Sequence, residues 1–399
     1  MSVLVEDRRA ERVRVEASLL PELRRFGAVD ISACFNCGNC TAICPLSSDD
    51  GAFPRRVIRY AQLGSRDRLL ASPELWTCYQ CGECTRTCPR DADPAEFMAA
   101  ARRYAVASYD RTGLARRLAT SAAFAGVFIG LLVFLLAGFM YSAHRPVSGS
   151  ELALFEFLPA RLIHDLGLVV LGLFGLGAVG GLVEMVRRVF RDGRIRGTTG
   201  GSRFDGVGEA AWYAVGRESI GQTRYREECT EDRDGPVDPW YLRRWFVHAA
   251  TIWGFLGLLA ATILDYLLDL TGVKRTGTAV PLWYPVRLLG TLAGLALVYG
   301  TSVAIVRRIR RTDRVFAVST VSDWSFVWLL WLAGVTGFVL ELALYLPKAP
   351  AWGYSVFLIH VAVAMALVVL APFGKFAHAI YRPVALFAYR LKGRAGSSG

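Results

Sequence analysis

Histidine is scarce in this sequence, and cysteine is almost confined to two short runs. The chain has five histidines and nine cysteines, and eight of the cysteines lie between residues 34 and 88. Residues 1 to 30 contain no apolar segment, so we expect neither a signal peptide nor a membrane anchor there. The chain also lacks a Rossmann glycine fingerprint, a nucleophile elbow and a Cys-Cys-Gly substrate domain. Any chemistry on a substrate bond is therefore expected on partner subunits.

The two cysteine runs have the same spacing, and each ends in Cys-Pro. They read Cys34-Phe-Asn-Cys37-Gly-Asn-Cys40-Thr-Ala-Ile-Cys44-Pro45 and Cys78-Tyr-Gln-Cys81-Gly-Glu-Cys84-Thr-Arg-Thr-Cys88-Pro89. In two-cluster ferredoxins with this spacing, the fourth cysteine of each run binds the cluster of the other run. We therefore expect two [4Fe-4S] clusters, one on Cys34, Cys37, Cys40 and Cys88, and the other on Cys78, Cys81, Cys84 and Cys44. Because the two ligand sets interlock, cluster binding and folding depend on each other.

Zinc and disulfides are the alternatives for these cysteines. Structural zinc normally takes four ligands in two pairs, often with histidine, whereas no histidine lies near either run. Disulfides require an oxidising compartment, and an arginine-rich stretch without a secretion signal indicates a reducing one. Both alternatives fit the spacing less well than iron–sulfur clusters do.

The remainder of the chain is too apolar for an ordinary soluble protein. Of its 399 residues, 53% are hydrophobic, and the mean hydropathy is +0.35. We expect six membrane spans, near residues 118–142, 161–187, 245–268, 285–306, 324–346 and 352–381. The net charge is +12, and the arginines next to the spans are concentrated in loops on one side of the membrane. This asymmetry predicts that the head, those loops and the C terminus are cytoplasmic. No nucleic-acid-binding motif accompanies this charge.

All five histidines lie in or beside the predicted spans, where ionisable side chains are costly and often functional. Neutral imidazole is a common axial ligand of haem iron. His248 and His378 lie near the inner ends of spans three and six, and this matched depth predicts that they bind one b-type haem. His360 lies 18 residues before His378, about 27 Å higher on the same predicted helix, and could share a second haem with His164. The alternative for each is a hydrogen-bonded polar residue between helices.

Taken together, these patterns predict an all-α protein in three parts. Residues 1–110 form an α-helical two-cluster ferredoxin domain, and residues 111–382 form a six-helix transmembrane haem-binding bundle with a cytoplasmic loop at 188–244. Residues 383–399 are expected to be a flexible cytoplasmic tail. The loop contains an amphipathic stretch near Glu209 to Ile220, expected at the membrane surface or under the cluster head. It also contains Cys229, to which the sequence assigns no role.

Three features carry a resemblance to a known family: the two cysteine runs, the segment Arg244-Trp-Phe-Val-His248, and the segment Pro372-Phe-Gly-Lys375-Phe-Ala-His378 with His360 before it. Over essentially its whole length the chain resembles the C component of the quinone-interacting membrane-bound oxidoreductase complexes. There, a head similar to the C component of heterodisulfide reductase is fused to a haem b domain similar to the E component of heterodisulfide reductase and to nitrate reductase gamma. The nitrate reductase pattern has a second histidine ten residues after the first, and this chain has Leu258 at that position.

The resemblance implies an electron-transfer subunit in the cytoplasmic membrane, as part of a respiratory complex. Electrons would pass between menaquinol and soluble flavin- and iron–sulfur-containing partners similar to the A component of heterodisulfide reductase, through haem b and the two clusters. The direction depends on reduction potentials, which the sequence does not give. The rival readings are the same role in a heterodisulfide-reductase-like or organic-acid-oxidising complex, and a membrane redox sensor. Glu341, Asp265 and Glu184 could accept protons from a quinol but could equally be helix-end residues, so the quinone site stays unassigned.

Overall fold

The structure is a computed structural model. It describes residues 14–28, 31–47, 52–147, 152–191, 206–228, 238–274, 280–312, 316, 318–346 and 350–396. Within these ranges every regular element is a helix and no strand occurs, which confirms the all-α prediction. Cys229 and most of the glycine-rich segment before Gly206 lie outside the described residues.

Seven short helices build the head around the two cysteine runs. They are α1 (Leu19–Arg25), α2 (Asn39–Ala42), α3 (Arg55–Gln62), α4 (Arg66–Leu70), α5 (Glu74–Thr77), α6 (Glu83–Arg86) and α7 (Pro94–Tyr109). The buried faces of these helices follow the apolar pattern of the sequence. In α3, for example, Val57, Ile58 and Ala61 form one buried face. The longest, α7, begins where the Asp93 side chain accepts a hydrogen bond from the backbone of Glu96. The proline at its first position suits a helix start, because the missing N–H would have no partner there.

Six further helices are long and apolar enough to cross a membrane, and this confirms the predicted number of spans. Other helices lie before, between and after these six. In chain order the helices after the head are α8 (Leu114–Thr120), α9 (Ala122–Ser142), α10 (Leu154–Phe157), α11 (Ala160–Arg191), α12 (Val207–Ala211), α13 (Thr223–Glu228), α14 (Arg244–Leu270), α15 (Pro285–Arg310), α16 (Val321–Leu344), α17 (Ala351–Leu370) and α18 (Ala377–Gly396). The spans are α9, α11, α14, α15, α16 and α17. Spans α14 and α15 approach closely at Gly254, where a Cβ atom would lie 2.6 Å from the backbone nitrogen of Leu297. Such contacts between small residues let helix backbones pack tightly in a membrane.

The sixth span is shorter than the sequence predicts. The prediction of one helix over 352–381 is wrong, because α17 ends at Leu370, a 3₁₀ turn covers Ala371–Phe373, and α18 starts at Ala377. Pro372 has no N–H to donate, and Gly374 leaves the helical conformation with φ −118° and ψ −158°. His360 and His378 therefore lie on two different helices, so the predicted arrangement of five turns on one helix does not hold.

The head and the membrane bundle share one hydrophobic core. Buried head residues such as Trp76 and Tyr109 pack with Tyr381 of α18 and with Met185 and Val189 at the end of α11. The Tyr381 ring lies 5.2 Å from Trp76 and 5.5 Å from Tyr109 between centroids. The expectation of a flexible tail from residue 383 also differs from the structure, since α18 runs to Gly396 and buries Ala385, Leu386 and Ala388. These apolar residues bury a face of α18 and so order it.

Candidate functional site

The two cysteine runs fold in the same way. In each run, a residue before the second cysteine takes a positive φ, Asn36 at 63° and Gln80 at 55°. In each run, a glycine follows with a larger positive φ, Gly38 at 91° and Gly82 at 96°, and caps a one-turn helix, α2 or α6. Glycine suits these positions because it has no Cβ to clash in the left-handed region. The turns wrap the backbone around the thiols, and the backbone N–H of Gln80 donates to the sulfur of Cys78 at 3.4 Å.

The neighbours of two of these thiols agree with the two sets that the spacing rule predicts. Burial raises the pKa of the Cys40 thiol, and the nearby thiols of Cys34, Cys37 and Cys88 raise it as well. Burial also raises the pKa of the Cys84 thiol, and the neighbours that add to the shift are Cys78, Cys81, Cys44 and, last, Cys40. These neighbours fit a pair of [4Fe-4S] clusters on the two predicted sets, whose iron would favour the thiolate form of the cysteines.

No group of three or more His, Cys, Asp or Glu side chains, among the residues that the structure describes, is arranged to hold a single metal ion. The two sets differ in their access to solvent. Cys37 is exposed and lies beside Phe35, which is 61% exposed, whereas Cys78 and Tyr79 are buried against the membrane half. The first run therefore faces outward and the second faces the bundle.

Three arginines from three different helices donate to the backbone of the second run, and two of them, Arg244 and Arg382, come from helices outside the head. Arg102 of α7 and Arg382 of α18 donate to the carbonyl oxygen of Cys78 at 3.2 and 3.3 Å. Arg244, the first residue of α14, donates to the carbonyl oxygen of Gln80 at 3.0 Å. Burial lowers the pKa of Arg102, while the nearby Cys78 raises it. These cations would partly offset the negative charge of a thiolate-bound cluster in the second run.

Beneath the second run, the structure places His248 and His378 near each other. The Nδ1 atom of His248 lies 2.8 Å from Oε1 of Gln222, and the Nδ1 atom of His378 lies 2.6 Å from the carbonyl oxygen of Lys375. An oxygen acceptor at Nδ1 favours the tautomer that carries its proton there and leaves Nε2 as the lone-pair nitrogen. Metal-binding histidines usually have this arrangement.

Positive charge surrounds this histidine pair. Burial lowers the pKa of His378 to about 4, and the charges of Lys375, Arg382 and Arg102 lower it too, so the ring is neutral near pH 7. Two buried nitrogen atoms nearby, Nη2 of Arg102 and Nε2 of Gln222, have no hydrogen-bond partner among the described residues. Neutral imidazoles with Nε2 available, inside a cationic shell with unused donors, fit a haem and its anionic propionates.

Aromatic rings connect the second cysteine run to the histidine pair. The guanidinium of Arg382 lies 4.4 Å from the centroid of the Tyr79 ring, and Tyr79 stacks on Tyr225 at 6.5 Å. Tyr225 in turn lies 5.0 Å from the ring of His248. The Tyr79 hydroxyl donates to Glu218, which lies on the π-helix Trp212–Ile220 that continues α12. The amphipathic stretch in the loop therefore packs under the cluster head, which is one of its two predicted positions.

The other histidines have different neighbours. Nδ1 of His360 lies 2.9 Å from the hydroxyl of Thr336 on α16. His164 is exposed and meets Tyr266 of α14 edge-on, with 4.9 Å between ring centroids. His144 stacks on Tyr141, three residues before it at the end of α9. Within the described residues, a second haem on His360 and His164 has no supporting geometry comparable to that of His248 and His378.

The three carboxylates considered as proton acceptors are each paired with a cation. Glu341 lies 3.5 Å from Arg287, Glu184 lies 2.8 Å from Arg111, and Asp265 is paired with Lys274. Their positions do not single out one of them for a quinol.

Sequence reasoning missed Gln222, Tyr79 and Glu218, because their contacts join residues far apart in the chain. Gln222 is buried and has a positive φ of +51°, a conformation that is uncommon for a residue other than glycine. No sequence pattern reveals that conformation.

Two families match the chain. Residues 30–92 match the 4Fe-4S dicluster domain family, and residues 111–399 match the family described as citrate utilization protein B. The chain belongs to the citrate utilization protein B family. A relative of that name from Escherichia coli is 28% identical over 290 residues, which are 71% of this chain and 70% of the relative. No solved structure matches the chain.

Two relatives of this citrate utilization protein B family member come from methanogens. The C component of the H(2):CoB-CoM heterodisulfide, ferredoxin reductase of Methanothermobacter thermautotrophicus is 29% identical over 62 residues, 16% of this chain and 34% of that protein. The E component of the dihydromethanophenazine:CoB-CoM heterodisulfide reductase of Methanosarcina acetivorans is 25% identical over 157 residues, 36% of this chain and 58% of that protein. The predicted fusion of a ferredoxin head and a membrane domain, each similar to a heterodisulfide reductase component, is confirmed. The chain is a multi-pass membrane electron-transfer subunit of an oxidoreductase complex, with an iron–sulfur domain.

Proposed function

We propose that this subunit passes electrons between membrane menaquinone and a cytoplasmic flavin- or iron–sulfur-containing partner, through one b-type haem and two [4Fe-4S] clusters. The observation that carries the proposal is the pair His248 and His378. Both direct Nδ1 at an oxygen acceptor, and both lie in a cationic shell that also hydrogen-bonds the second cysteine run. When bound, the haem and clusters supply one-electron carriers.

The chain's own contribution is to hold these carriers in series. Cys78, Cys81, Cys84 and Cys44 would bind the cluster next to the bundle, and Cys34, Cys37, Cys40 and Cys88 would bind the outer one. Arg382 contacts the backbone of Cys78 and lies one helical turn after His378 in α18. One helix thus positions both a haem ligand and the second cysteine run. A second haem on His360 and His164 lacks support of this kind, so we propose a single haem.

The placement of charge supports a cytoplasmic head. The last turn of α15 contains Arg307, Arg308 and Arg310, on the same side of the bundle as the head, where Arg308 interacts with Arg103 and Asp323. Basic residues next to spans stay on the cytoplasmic side. We propose that the head ends near residue 110, that the bundle spans the inner membrane, and that both the head and α18 face the cytoplasm.

The partner would dock on the outward side of the head. A groove there is lined by Phe35, Arg55, Arg59, Leu63 and Arg68, which we term the arginine surface. Exposed Phe35 precedes Asn36 and Cys37 of the outer cluster's run, so the surface borders the expected electron exit or entry. Clustered arginines with exposed apolar residues favour a partner with an acidic patch.

Two classes of partner are compatible with the relatives, and we favour the one related to organic acids. The E. coli relative is named for citrate utilization and is similar over 71% of this chain, which supports a partner that acts on an organic acid. The heterodisulfide reductase relatives are similar over 16% and 36% of this chain. They support the alternative of a partner similar to the A component of heterodisulfide reductase.

A reduced-minus-oxidised visible spectrum of the anaerobically purified chain tests the proposal, with haem and non-haem iron measured per chain. We expect a b-type haem signal, one haem, and about eight irons. Two haems per chain would overturn the single-haem assignment only. Zinc in place of iron, or no haem at all, would overturn the electron-transfer route and favour the redox-sensor reading.

A further inference from the structure

A cavity lies at the inner side of the bundle, beside the break after the sixth span. Its walls include Ile129 of α9, Phe326 of α16 and Leu367 of α17. The helix α8 and the turn after α17 close it further. Its polar wall residues are Ser322, Ser325 and Lys375, which lie toward one end of α16 and at the break. The cavity is thus apolar over most of its surface and polar at the inner end.

Lys375 is the residue that gives this cavity its chemistry. Its side chain is 37% exposed and pairs with Asp323, which is 6% exposed. Asp323 also accepts from Arg103 at 3.5 Å and caps the start of α16 through Thr320. The acid therefore keeps other partners if Lys375 is removed. Burial lowers the pKa of Lys375, while Asp323 raises it.

The same residue contacts the proposed haem ligand. The carbonyl oxygen of Lys375 accepts the hydrogen bond from Nδ1 of His378. Phe376, the next residue, also lines the cavity and packs edge-on against Phe255 at 5.1 Å between centroids. The segment from Lys375 to His378 therefore forms the wall between the cavity and the histidine pair.

We propose that this cavity binds the head group of an isoprenoid quinone, with the Lys375 ammonium donating a hydrogen bond to one quinone oxygen. The proposal deepens the proposed function and rests on it, since it names the site of the quinone that the function requires. An apolar ring and tail match the walls, and one of the two ring oxygens matches the polar end. The acyl chain of a lipid would match the walls but would make no use of the ammonium.

The test uses full-length protein in detergent and measures binding of 2-heptyl-4-hydroxyquinoline N-oxide by quenching of its fluorescence. Ile129→Trp would fill the cavity, and Lys375→Met would remove the donor but leave Asp323 with Arg103. The matched control is Leu135→Trp, also on α9, at a position 56% exposed to the lipid side. Haem and iron per chain are measured for every variant, which separates loss of the site from failure of the proposed function.

We expect the wild type and Leu135→Trp to bind the probe alike. Lys375→Met should weaken binding about tenfold, as loss of a hydrogen bond from a charged group does. Ile129→Trp should weaken it further and should keep its haem and iron, and Lys375→Met is compared with the wild type at equal haem per chain. Equal binding by Ile129→Trp and the wild type would overturn the proposal, and so would a haem-loaded wild type that binds no probe. A wild type without haem would instead overturn the proposed function. Weakening by Ile129→Trp but not by Lys375→Met would indicate an acyl-chain cavity and overturn the quinone assignment.

Discussion

His248 and His378 lie on different helices, yet each has its Nδ1 atom within hydrogen-bond distance of an oxygen. The acceptors come from unrelated places, a side chain in the loop before α14 for His248 and a backbone carbonyl three residues earlier for His378. Such convergence leaves the Nε2 atoms as the two lone-pair nitrogens of the site. It joins α14, α18 and the loop in one place, directly under the second cysteine run.

The first prediction concerns haem content. We expect His248→Leu and His378→Leu each to abolish the b-type haem, because a haem that keeps only one of its two histidine ligands would be bound weakly. Leucine has a similar volume, so the packing should survive. The measurement is haem per chain from the visible spectrum of purified protein. His144→Leu, in the outer loop, is the control and should retain full haem. Retention of haem by both first variants would contradict the assignment.

How much of this site the sequence predicts depends on the range of each contact. The cysteine sets are predicted from local spacing, which needs only positions along the chain. The histidine pair is predicted from matched depth at the inner ends of spans three and six, although His378 lies on α18, beyond the sixth span. Gln222 was not predicted, because its contact with His248 joins a loop to a span. Tyr79 and Glu218 meet across 139 positions for the same reason.

The break in the sixth span shows a different limit. Residues 352–381 contain few charges, so hydropathy alone continues the helix through Pro372. Proline and the following Gly374 do signal a break, but a proline within a span is also tolerated as a kink. Tertiary packing decides the matter, since α18 turns to bury Ala377, Tyr381 and Ala385 in the head core.

The second prediction tests the crossed cluster ligands. Cys44→Ser should lose about four irons per chain, because one ligand of the second cluster is gone. If Cys44 and Cys81 serve the same cluster, Cys44→Ser combined with Cys81→Ser should lose no more iron than either change alone. Cys44→Ser combined with Cys34→Ser should lose about eight irons. The reverse pattern, with about eight irons lost by the Cys44 and Cys81 double variant and about four by the Cys44 and Cys34 double variant, would show that the ligand sets are assigned wrongly.

The third prediction concerns stability against pH. Burial raises the pKa of Glu96 from its ordinary 4.5 to about 7. The nearby carboxylates of Asp323 and Asp93 also raise this pKa, whereas the nearby charge of Arg103 lowers it. Between about pH 4.5 and 7 the folded chain therefore holds a proton that the unfolded chain has released. Stability from this group is fully present below about pH 4.5 and is lost as the pH rises through about 7.

The size of this effect follows from the shift. A rise from 4.5 to about 7 corresponds to roughly 3 kcal/mol of stability. Glu96→Gln, which is neutral at every pH, should remove that dependence and leave the other titrations in place. The measurement is the midpoint of thermal unfolding of wild type and variant between about pH 4.5 and 8. Parallel curves for the two proteins would show that Glu96 is ionised in the folded chain throughout.

The fourth prediction concerns partner docking at the arginine surface. Arg59 is exposed and lines the groove beside Phe35, so Arg59→Glu places a like charge against an acidic patch. We expect affinity for the soluble protein that co-purifies with the chain to fall about tenfold at low salt, and the difference to shrink at high salt. Arg311→Glu, exposed at the end of α15, is the matched control and should bind as the wild type does. The association rate at two salt concentrations is the measurement that decides. A loss that is equal for both variants, or independent of salt, would mean that the partner docks elsewhere on the head.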